Sequence, residues 1–356
     1  MKHFICRTCK KTYASDTLQW CCSCGGLFDL LFEGEIVVHA LANRPPNLWR
    51  YREAIPIKDD AHLITLNEGF TPLTPVNIEG KTLRVKQDHL FPSGSYKDRG
   101  ATVLISHAKS FGIQRLVEDS SGNAGAAVAS YAARAGIACD IYVPNSTSPA
   151  KLAQIQSYGA TLHKIPGSRE DTAHAVQDAA QKYFYASHVW NPFFFHGTKT
   201  FAYEIWEQLD FKTPDTLIIP TGNGTLLLGV HIGFTDLLNQ NLIKYMPKLI
   251  AVQSTHCAPL TSDWTGESSA TIAEGIAIAE PARAEQMREC IEDTNGEILT
   301  VTDDETLAAH KQMAEMGFYI EPTSATAIAA FKKYPARNDE VIVAPLTGHG
   351  LKTTGK

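Results

Sequence analysis

The stretch Pro92-Ser93-Gly94-Ser95-Tyr96-Lys97-Asp98-Arg99-Gly100 decides the interpretation of this chain. Proline, glycine and two serines end the strand-like run at residues 83–87, and apolar residues then recur at helical spacing from Leu104. Lys97 is therefore predicted at the start of a helix that follows a strand. Schiff-base lysines work in partly buried pockets near other cations, which favour the neutral amine, and Arg99 is such a neighbour. Lys97 is thus a candidate for forming an imine with an aldehyde, although most lysines at helix starts are solvated surface charges.

Three further loops place small and polar residues after apolar, strand-like runs. Ser120-Ser121-Gly122-Asn123-Ala124-Gly125 offers the Asn123 side chain as donor and acceptor. Thr221-Gly222-Asn223-Gly224-Thr225 opens a predicted helix, whose free backbone N–H groups suit a phosphate. Leu346-Thr347-Gly348-His349-Gly350 presents the neutral hydroxyl of Thr347 at a strand end. Each loop alone is ordinary in an α/β protein, but with Lys97 they supply the groups needed to hold pyridoxal phosphate.

The same segments carry a family resemblance. Together with Glu321-Pro322-Thr323-Ser324-Ala325 and residues 346–352, they resemble fold-type-II pyridoxal-phosphate enzymes of the tryptophan synthase β-like superfamily, and threonine synthases most closely. The match runs in order from about Asn67 to the C-terminus. It implies an α/β fold of two three-layer domains with mostly parallel sheets. It also implies that Lys97 is the Schiff-base lysine and proton shuttle. The implied cofactor-binding residues are Asn123 for the 3-hydroxyl, Gly222, Asn223, Gly224 and Thr225 for the phosphate, and Thr347 for the pyridine nitrogen.

The order of predicted elements indicates parallel sheets. A strand at 116–119, a helix at 124–135, a strand at 138–143, a helix at 149–158 and a strand at 160–165 alternate in the βα rhythm. Residues 101–195 are predicted as a small α/β domain. The resemblance assigns residues 41–100 and 196–356 to a large cofactor-binding domain, and residues 1–40 are left as a separate ribbon.

The N-terminal ribbon contains Cys6-Arg7-Thr8-Cys9 and Cys21-Cys22-Ser23-Cys24. Two C-x-x-C pairs suit a tetrahedral zinc ion, so a structural zinc held by Cys6, Cys9, Cys21 and Cys24 is predicted. Cys22 is an extra thiol that leaves the fourth ligand open. A redox dithiol or a metal-free remnant is the alternative interpretation.

Composition favours an enzyme that binds neither nucleic acid nor a membrane. The chain has 356 residues, 44% hydrophobic content and a net charge of −6, which gives a large core and no attraction to nucleic acid or anionic lipid. Its first residues lack an apolar signal-peptide core, and no apolar run could span a bilayer. With eight cysteines and no export signal, we expect a cytoplasmic protein. A small amino-acid substrate and a homodimer are the partners that the resemblance implies.

The substrate is less clearly indicated. A threonine synthase converts O-phospho-L-homoserine and water to L-threonine and phosphate, and many have an arginine for the substrate phosphate near the position of Phe194. This chain has Phe193-Phe194-Phe195 there, and Leu226 where an asparagine is frequent. A buried dianion needs cations or several N–H donors. The basic residues that could substitute are His196, Lys199, Lys151 and Arg169.

Other features favour a different reaction on the same scaffold. Thr271-Ile272-Ala273-Glu274-Gly275-Ile276-Ala277 is similar to a segment of serine and threonine dehydratases. Glu274 could contact the substrate or cap a helix, and Ser95 and Ser121 are further substrate-binding candidates. The alternatives are another fold-type-II lyase or β-replacement enzyme, such as a serine/threonine ammonia-lyase or a cysteate-synthase-like enzyme, and a regulatory protein without activity. The intact Lys97, Asn123 and Thr347 count against the regulatory alternative.

Overall fold

The computed structural model describes residues 2–167 and 169–353. The strands in these ranges are β1 His3–Cys6, β2 Thr12–Ala14, β3 Phe28–Leu31, β4 Leu73–Ile78, β5 Lys81–Lys86, β6 Arg115–Glu118, β7 Ala138–Pro144, β8 Thr161–Ile165, β9 Phe184–Tyr185, β10 Thr216–Pro220, β11 Lys248–Ser254, β12 Glu297–Val301 and β13 Ile342–Pro345. The α-helices are α1 Val38–Leu41, α2 Lys97–Ser110, α3 Asn123–Ala135, α4 Pro149–Ser157, α5 Arg169–Ala179, α6 Phe193–Thr198, α7 Thr200–Gln208, α8 Thr225–Asn239, α9 Ala284–Asp293, α10 Asp303–Glu315 and α11 Pro322–Lys333.

The chain divides into two compact units. Unit 1 contains the chain up to Glu68 together with Lys97–Thr198. Its main sheet has the order β8-β7-β6-β9, and all three strand pairs are parallel. The elements predicted between residues 116 and 165 are observed with ends shifted by at most one residue, because the alternation of apolar strands and helices is a local signal. Gly136, for example, ends α3 in the left-handed conformation that glycine adopts without strain.

The ribbon is part of unit 1, which corrects the predicted separate segment 1–40. Its sheet has the order β2-β1-β3, with both pairs antiparallel. Phe4 stacks on Phe28 with ring centroids 5.2 Å apart and meets Phe193 of α6 edge-on at 6.0 Å. These buried rings belong to the same core cluster as α2 and α3. The ribbon therefore buries apolar surface that it could not cover alone.

The boundary between the predicted domains also differs. The prediction assigned residues 41–100 to the large domain, whereas the structure keeps the chain up to Glu68 in unit 1. The reason is a buried apolar set around Leu48, Trp49 and Ile55 that joins the core of this unit. Glu68 accepts a 3.2 Å hydrogen bond from the Trp49 indole, which fixes the last residues of the segment.

Unit 2 contains Gly69–Tyr96 and the chain from Lys199 onward. Its sheet has the order β12-β11-β10-β13-β5-β4, parallel except for the antiparallel hairpin β4–β5. That hairpin turns at Glu79 and Gly80, both at positive φ (52° and 83°), as a two-residue turn between twisted strands requires. All five residues of β10 are buried, as expected for a strand inside a parallel sheet. Among the described residues, none of the helices combines the length and the apolar character needed to cross a bilayer.

Candidate active site

Lys97 is the first residue of α2, as predicted, and the short helix α6 packs against this helix start. A Cβ on Gly100 would lie 2.2 Å from Cε1 of Phe194, and one on Gly197 would lie 1.9 Å from the carbonyl oxygen of Arg99. Glycine at both positions therefore lets the two helices touch. As a result the Lys97 ammonium lies 5.7 Å from the centroid of the Phe194 ring, within the range of a cation–π contact.

The three consecutive phenylalanines are core residues. Phe193 and Phe194 are fully buried and Phe195 is 3% exposed. Phe193 stacks on His107 with centroids 3.6 Å apart, and burial lowers the pKa of His107 to about 3. The position at which the resemblance led us to look for an arginine thus carries a buried apolar ring, so any contact with a substrate phosphate has to come from other groups.

Two of the four basic residues suggested as substitutes have structural partners. His196 lies with Nε2 3.3 Å from the carbonyl oxygen of Leu30. Lys199 is fully buried and forms a 2.8 Å ion pair with Asp236. The side chains of Lys151 and Arg169 lie outside the described part of the structure.

The loop after β6 positions Asn123 at the N-terminus of α3. A Cβ on Gly125 would lie 1.8 Å from the carbonyl oxygen of Ser120, so only glycine permits this close turn. Gly122, the residue before the helix, provides no side-chain cap. Ser121 and Asn123 are partly exposed at the start of α3, and the N-terminus of a helix favours an anion.

Glu118 is the last residue of β6, and the sequence analysis predicted no role for it beyond its place in a strand. Its side chain is fully buried, and its Oε1 lies 2.8 Å from Nδ1 of His188. Burial raises the pKa of Glu118 to about 8, against smaller opposing effects of backbone N–H groups and the charge of Lys97. The sequence gives no signal for this pair, because 70 residues separate its members.

In unit 2, the predicted phosphate loop connects β10 to α8. Gly224 has φ of +76°, and a Cβ there would lie 2.2 Å from Sδ of Met287. A Cβ on Gly222 would lie 2.8 Å from Cα of Ile276. Gly224, the residue before α8, has no side chain that could cap the helix, and the N-terminus of a helix favours an anion. The tight glycine loop and the uncapped helix fit a phosphate group.

Tyr96 connects three of the predicted segments within unit 2. Its hydroxyl lies 2.7 Å from Oγ1 of Thr225 at the start of α8, and its backbone N–H donates to the carbonyl oxygen of Thr347 at 3.0 Å. The lysine turn, the phosphate loop and the last loop are therefore held together by one residue. The sequence analysis missed this role, although Tyr96 lies directly before Lys97 in the decisive stretch.

Thr347 is buried, and its hydroxyl is not isolated. It donates to Oε1 of Glu321 at 3.1 Å and lies 2.9 Å from Oγ of Ser324. A Cβ on Gly348 would lie 2.3 Å from the Glu321 carboxyl carbon, so glycine is needed beside the carboxylate. Ser95 is paired with Gly348 in an isolated β-bridge, and its buried Oγ has no hydrogen-bond partner among the described residues. Both Ser95 and Thr347 thus lie at the loop that follows β13.

Glu274 opens a short 3₁₀ helix, Glu274–Ile276, and its side chain is exposed. The backbone N–H of Gly275 donates to Oγ1 of Thr323 at 3.1 Å. The contact between Gly222 and Ile276 places this segment against the phosphate loop. The structure therefore brings the dehydratase-like segment to the phosphate loop within unit 2.

The cysteine cluster contains Cys6, Cys9, Cys22 and Cys24, whose sulfur atoms all lie within 4.8 Å of one another. The Cys6–Cys24 and Cys9–Cys22 sulfur distances are 3.6 and 3.4 Å. A tetrahedron with Zn–S bonds of about 2.3 Å has S–S edges of about 3.8 Å. Four thiols at this spacing fit a structural zinc ion.

Cys22 replaces the predicted ligand Cys21, and the turn geometry explains this correction. The backbone N–H of Cys22 donates to Gly26 O, and its carbonyl accepts from the N–H of Gly25, which turns at φ of +81°. The backbone N–H and carbonyl of Cys6 close a turn in the same way. Cys6 and Cys22 therefore occupy equivalent positions in their two turns. The Cys24 backbone N–H and the Tyr13 hydroxyl lower the pKa of the Cys22 thiol to about 5, which favours the thiolate that a metal binds.

Lys97 at the start of α2 and the glycine loop between β10 and α8 are both features that a fold-type-II pyridoxal-phosphate enzyme requires. Comparison with known proteins agrees: the family described as pyridoxal-phosphate dependent enzyme matches residues 64–348, and the chain belongs to this family. The predicted fold class and dependence on pyridoxal phosphate are thereby confirmed.

Among its relatives are threonine synthases. The protein is 34% identical to the threonine synthase of Methanocaldococcus jannaschii, over 98% of this chain and 92% of that protein. It is 32% identical to the threonine synthase of Methanosarcina acetivorans, over 99% and 92%. A solved O-ureido-L-serine synthase is similar in fold, with a TM-score of 0.70 at 23% identity over 81% of this chain and 92% of that one. The recognition of a threonine-synthase-like enzyme is confirmed.

Proposed function

We propose that this protein is a threonine synthase, which converts O-phospho-L-homoserine and water to L-threonine and phosphate. The observation that carries the proposal is the similarity to threonine synthases over 98% of the chain, since it includes the ribbon as well as the catalytic segments. The predicted cofactor-binding residues fit the same function, because they lie at or next to the starts of α2, α3 and α8 and in the loop after β13.

When bound, pyridoxal phosphate withdraws electron density from the carbon atoms of an attached amino acid. Lys97 then serves as the base that removes protons from Cα and Cβ of the substrate and returns one later, and the Phe194 ring face stabilises its ammonium form. Asn123 holds the cofactor 3-hydroxyl.

The loops after β10 and β13 and the cysteine cluster have further proposed roles. Residues 222–225 would bind the cofactor phosphate through backbone N–H groups, and Thr347, whose hydroxyl donates to Glu321, would interact with the pyridine nitrogen. Cys6, Cys9, Cys22 and Cys24 hold a zinc ion with a structural role.

Substrate contacts are proposed for three exposed or unsatisfied groups. Ser121 lies at the N-terminus of α3, which suits an anionic group of the substrate. The other two are the hydroxyl of Ser95, which has no hydrogen-bond partner within the described ranges, and the exposed carboxylate of Glu274. Many threonine synthases have an arginine near the position of Phe194. In this protein, N–H and hydroxyl donors have to bind the substrate phosphate instead.

A second candidate function is supported by the burial of Phe194. With an apolar ring in place of a cation, a fold-type-II lyase or β-replacement enzyme acting on an amino acid without a phosphate, such as an ammonia-lyase, fits the same catalytic residues. The contact between the dehydratase-like segment and the phosphate loop also favours this candidate.

The two functions are separated by their products. We expect purified protein, loaded with pyridoxal phosphate, to release phosphate from O-phosphohomoserine and to form little 2-oxobutanoate from threonine. Lys97→Ala should abolish both reactions and the visible absorbance of lysine-bound coenzyme, whereas Lys109→Ala on the same helix should retain them. Formation of 2-oxobutanoate without phosphate release would exclude threonine synthase and favour the second candidate.

We also propose that the protein forms a homodimer. Light scattering, which measures the molar mass in solution, tests this proposal.

A further inference from the structure

The lysine turn, residues 92–96, is bonded to the loop that follows β13. The carbonyl oxygen of Gly94 accepts a hydrogen bond from the backbone N–H of His349 at 2.9 Å. The N–H of Tyr96 donates to the carbonyl oxygen of Thr347 at 3.0 Å. All of these residues belong to unit 2. The backbone that leads directly into the catalytic helix is therefore paired with a loop from the other end of the chain.

The side chain of Lys352 adds a charged bond to this pairing. Its Nζ donates to the carbonyl oxygen of the buried Ser93 at 2.7 Å, across 259 residues of sequence. Its aliphatic stem lies beside Gly94, where a Cβ would be 3.3 Å from Cδ of Lys352. A hydrogen bond from an ammonium group is stronger than one between neutral groups. Residues 346–353 thus form a clamp on the lysine turn, and Lys352 is its charged member.

The clamp is itself anchored within unit 2. Oγ of Ser324, near the start of α11, accepts from the backbone N–H of Thr347 at 2.8 Å and from that of Gly348 at 3.1 Å. The N–H of Gly350 donates to the carbonyl oxygen of Tyr319 at 3.0 Å. A segment fixed at several points can support another segment. The clamp is therefore suited to fix the position of the lysine turn.

The reaction makes such support necessary at one stage in particular. While Lys97 is bonded to the coenzyme, this covalent link helps to fix the turn. Once an amino acid has taken the place of the lysine on the coenzyme, only noncovalent bonds hold the turn. The free amine then has to move protons, and a misplacement of about 1 Å can cost about 100-fold in rate.

We propose that Lys352 is a positioning residue, which fixes the lysine turn through the carbonyl group of Ser93 while the Lys97 amine moves protons. The inference rests on the proposed role of Lys97. It assigns Lys352 no contact with the substrate. Loss of its ammonium group should therefore lower kcat and leave KM nearly unchanged.

Hydrogen exchange of the holoenzyme, measured by mass spectrometry, reports the opening of the clamp without any substrate. Lys352→Met keeps an unbranched stem but removes the ammonium group, and we expect exchange in residues 93–96 to be about tenfold faster. Lys352→Arg keeps a charged donor and should restore most of the protection. Lys109→Met is the matched control, because Lys109 also donates to a main-chain carbonyl oxygen, that of Ala135 at 3.0 Å.

Two readouts test the effect on Lys97. With the substrate that wild type converts, Lys352→Met should lower kcat by about tenfold with little change in KM, and Lys352→Arg should recover most of the rate. Hydroxylamine removes the coenzyme from the lysine, which the visible absorbance follows. This removal should be about tenfold faster in Lys352→Met, because a less well-placed lysine competes less well for the coenzyme. Lys109→Met should match wild type in both measurements.

Unchanged hydrogen exchange in Lys352→Met, an equal effect in Lys109→Met, or no recovery in Lys352→Arg would overturn the inference. Faster exchange with unchanged kcat and unchanged coenzyme removal would also overturn it, because the bond would then serve the fold alone. Failure of the proposed function is a separate result. It is the absence of phosphate release in wild type while hydrogen exchange and coenzyme removal still respond to Lys352→Met.

Discussion

Replacing Gly224 by alanine tests the proposal that the glycine loop at residues 221–225 binds the phosphate of the coenzyme. The residue has φ of +76°, a conformation that costs an L-residue about 1–2 kcal/mol. The new Cβ would also lie 2.2 Å from Sδ and 2.7 Å from Cγ of the fully buried Met287. Overpacking of this kind costs about 1–3 kcal/mol. We therefore expect Gly224→Ala to lower the free energy of unfolding by about 2–5 kcal/mol.

Gly317→Ala separates the two contributions. Gly317 also has a positive φ, 92°, but a Cβ there would meet nothing within 4 Å, so only the backbone cost of about 1–2 kcal/mol should appear. A double-mutant cycle with Met287→Ala isolates the steric contact, because the methionine side chain is then absent. The combined loss should be smaller than the sum of the single losses by about 1–3 kcal/mol.

The assay is urea unfolding followed by circular dichroism at a fixed coenzyme concentration, with the coenzyme dissociation constant measured beside it. Gly224→Ala should weaken coenzyme binding because Met287 can move only by displacing the loop, and Gly317→Ala should leave the affinity unchanged. Additivity of the cycle within about 0.5 kcal/mol would refute the steric reasoning. Unchanged coenzyme affinity in Gly224→Ala would refute the assignment of the loop to the phosphate.

Three further results are expected. Tyr96→Phe loses the 2.7 Å contact with Thr225 and should weaken coenzyme binding by about tenfold, the equivalent of roughly 1.4 kcal/mol, whereas the exposed Tyr245→Phe should not. Cys22→Ser should lose most of the bound zinc in metal analysis while Cys21→Ser keeps it, and the reverse result would restore the predicted ligand set. Phe194→Ala should destabilise the protein by about 3–5 kcal/mol in urea unfolding, because the ring is fully buried.

Much of unit 1 could be predicted because its signals are local. The strands and helices between residues 116 and 165 follow one another with short connections, and most of them end at or next to a glycine or a proline. The lysine turn and the glycine loops were located for the same reason. Their residues are contiguous, so the chemistry of each loop is visible in a few letters.

What could not be predicted depends on contacts between distant residues. The sheet order of unit 2 pairs β13 with β5, and these strands are more than 250 residues apart in the chain. Glu118 and His188 meet across 70 residues. The choice of Cys22 over Cys21 depends on a turn one residue shorter than its counterpart, which spacing alone does not distinguish.

The packing of the ribbon couples the proposed zinc site to the helix that begins with Lys97. Phe4 contacts Phe193, which stacks on His107 of α2, the helix that begins with Lys97. A zinc ion that binds only the folded ribbon adds its binding free energy to the folding of this whole core. Depletion of the proposed zinc ion would therefore lower the amount of folded protein without any change at the proposed active site.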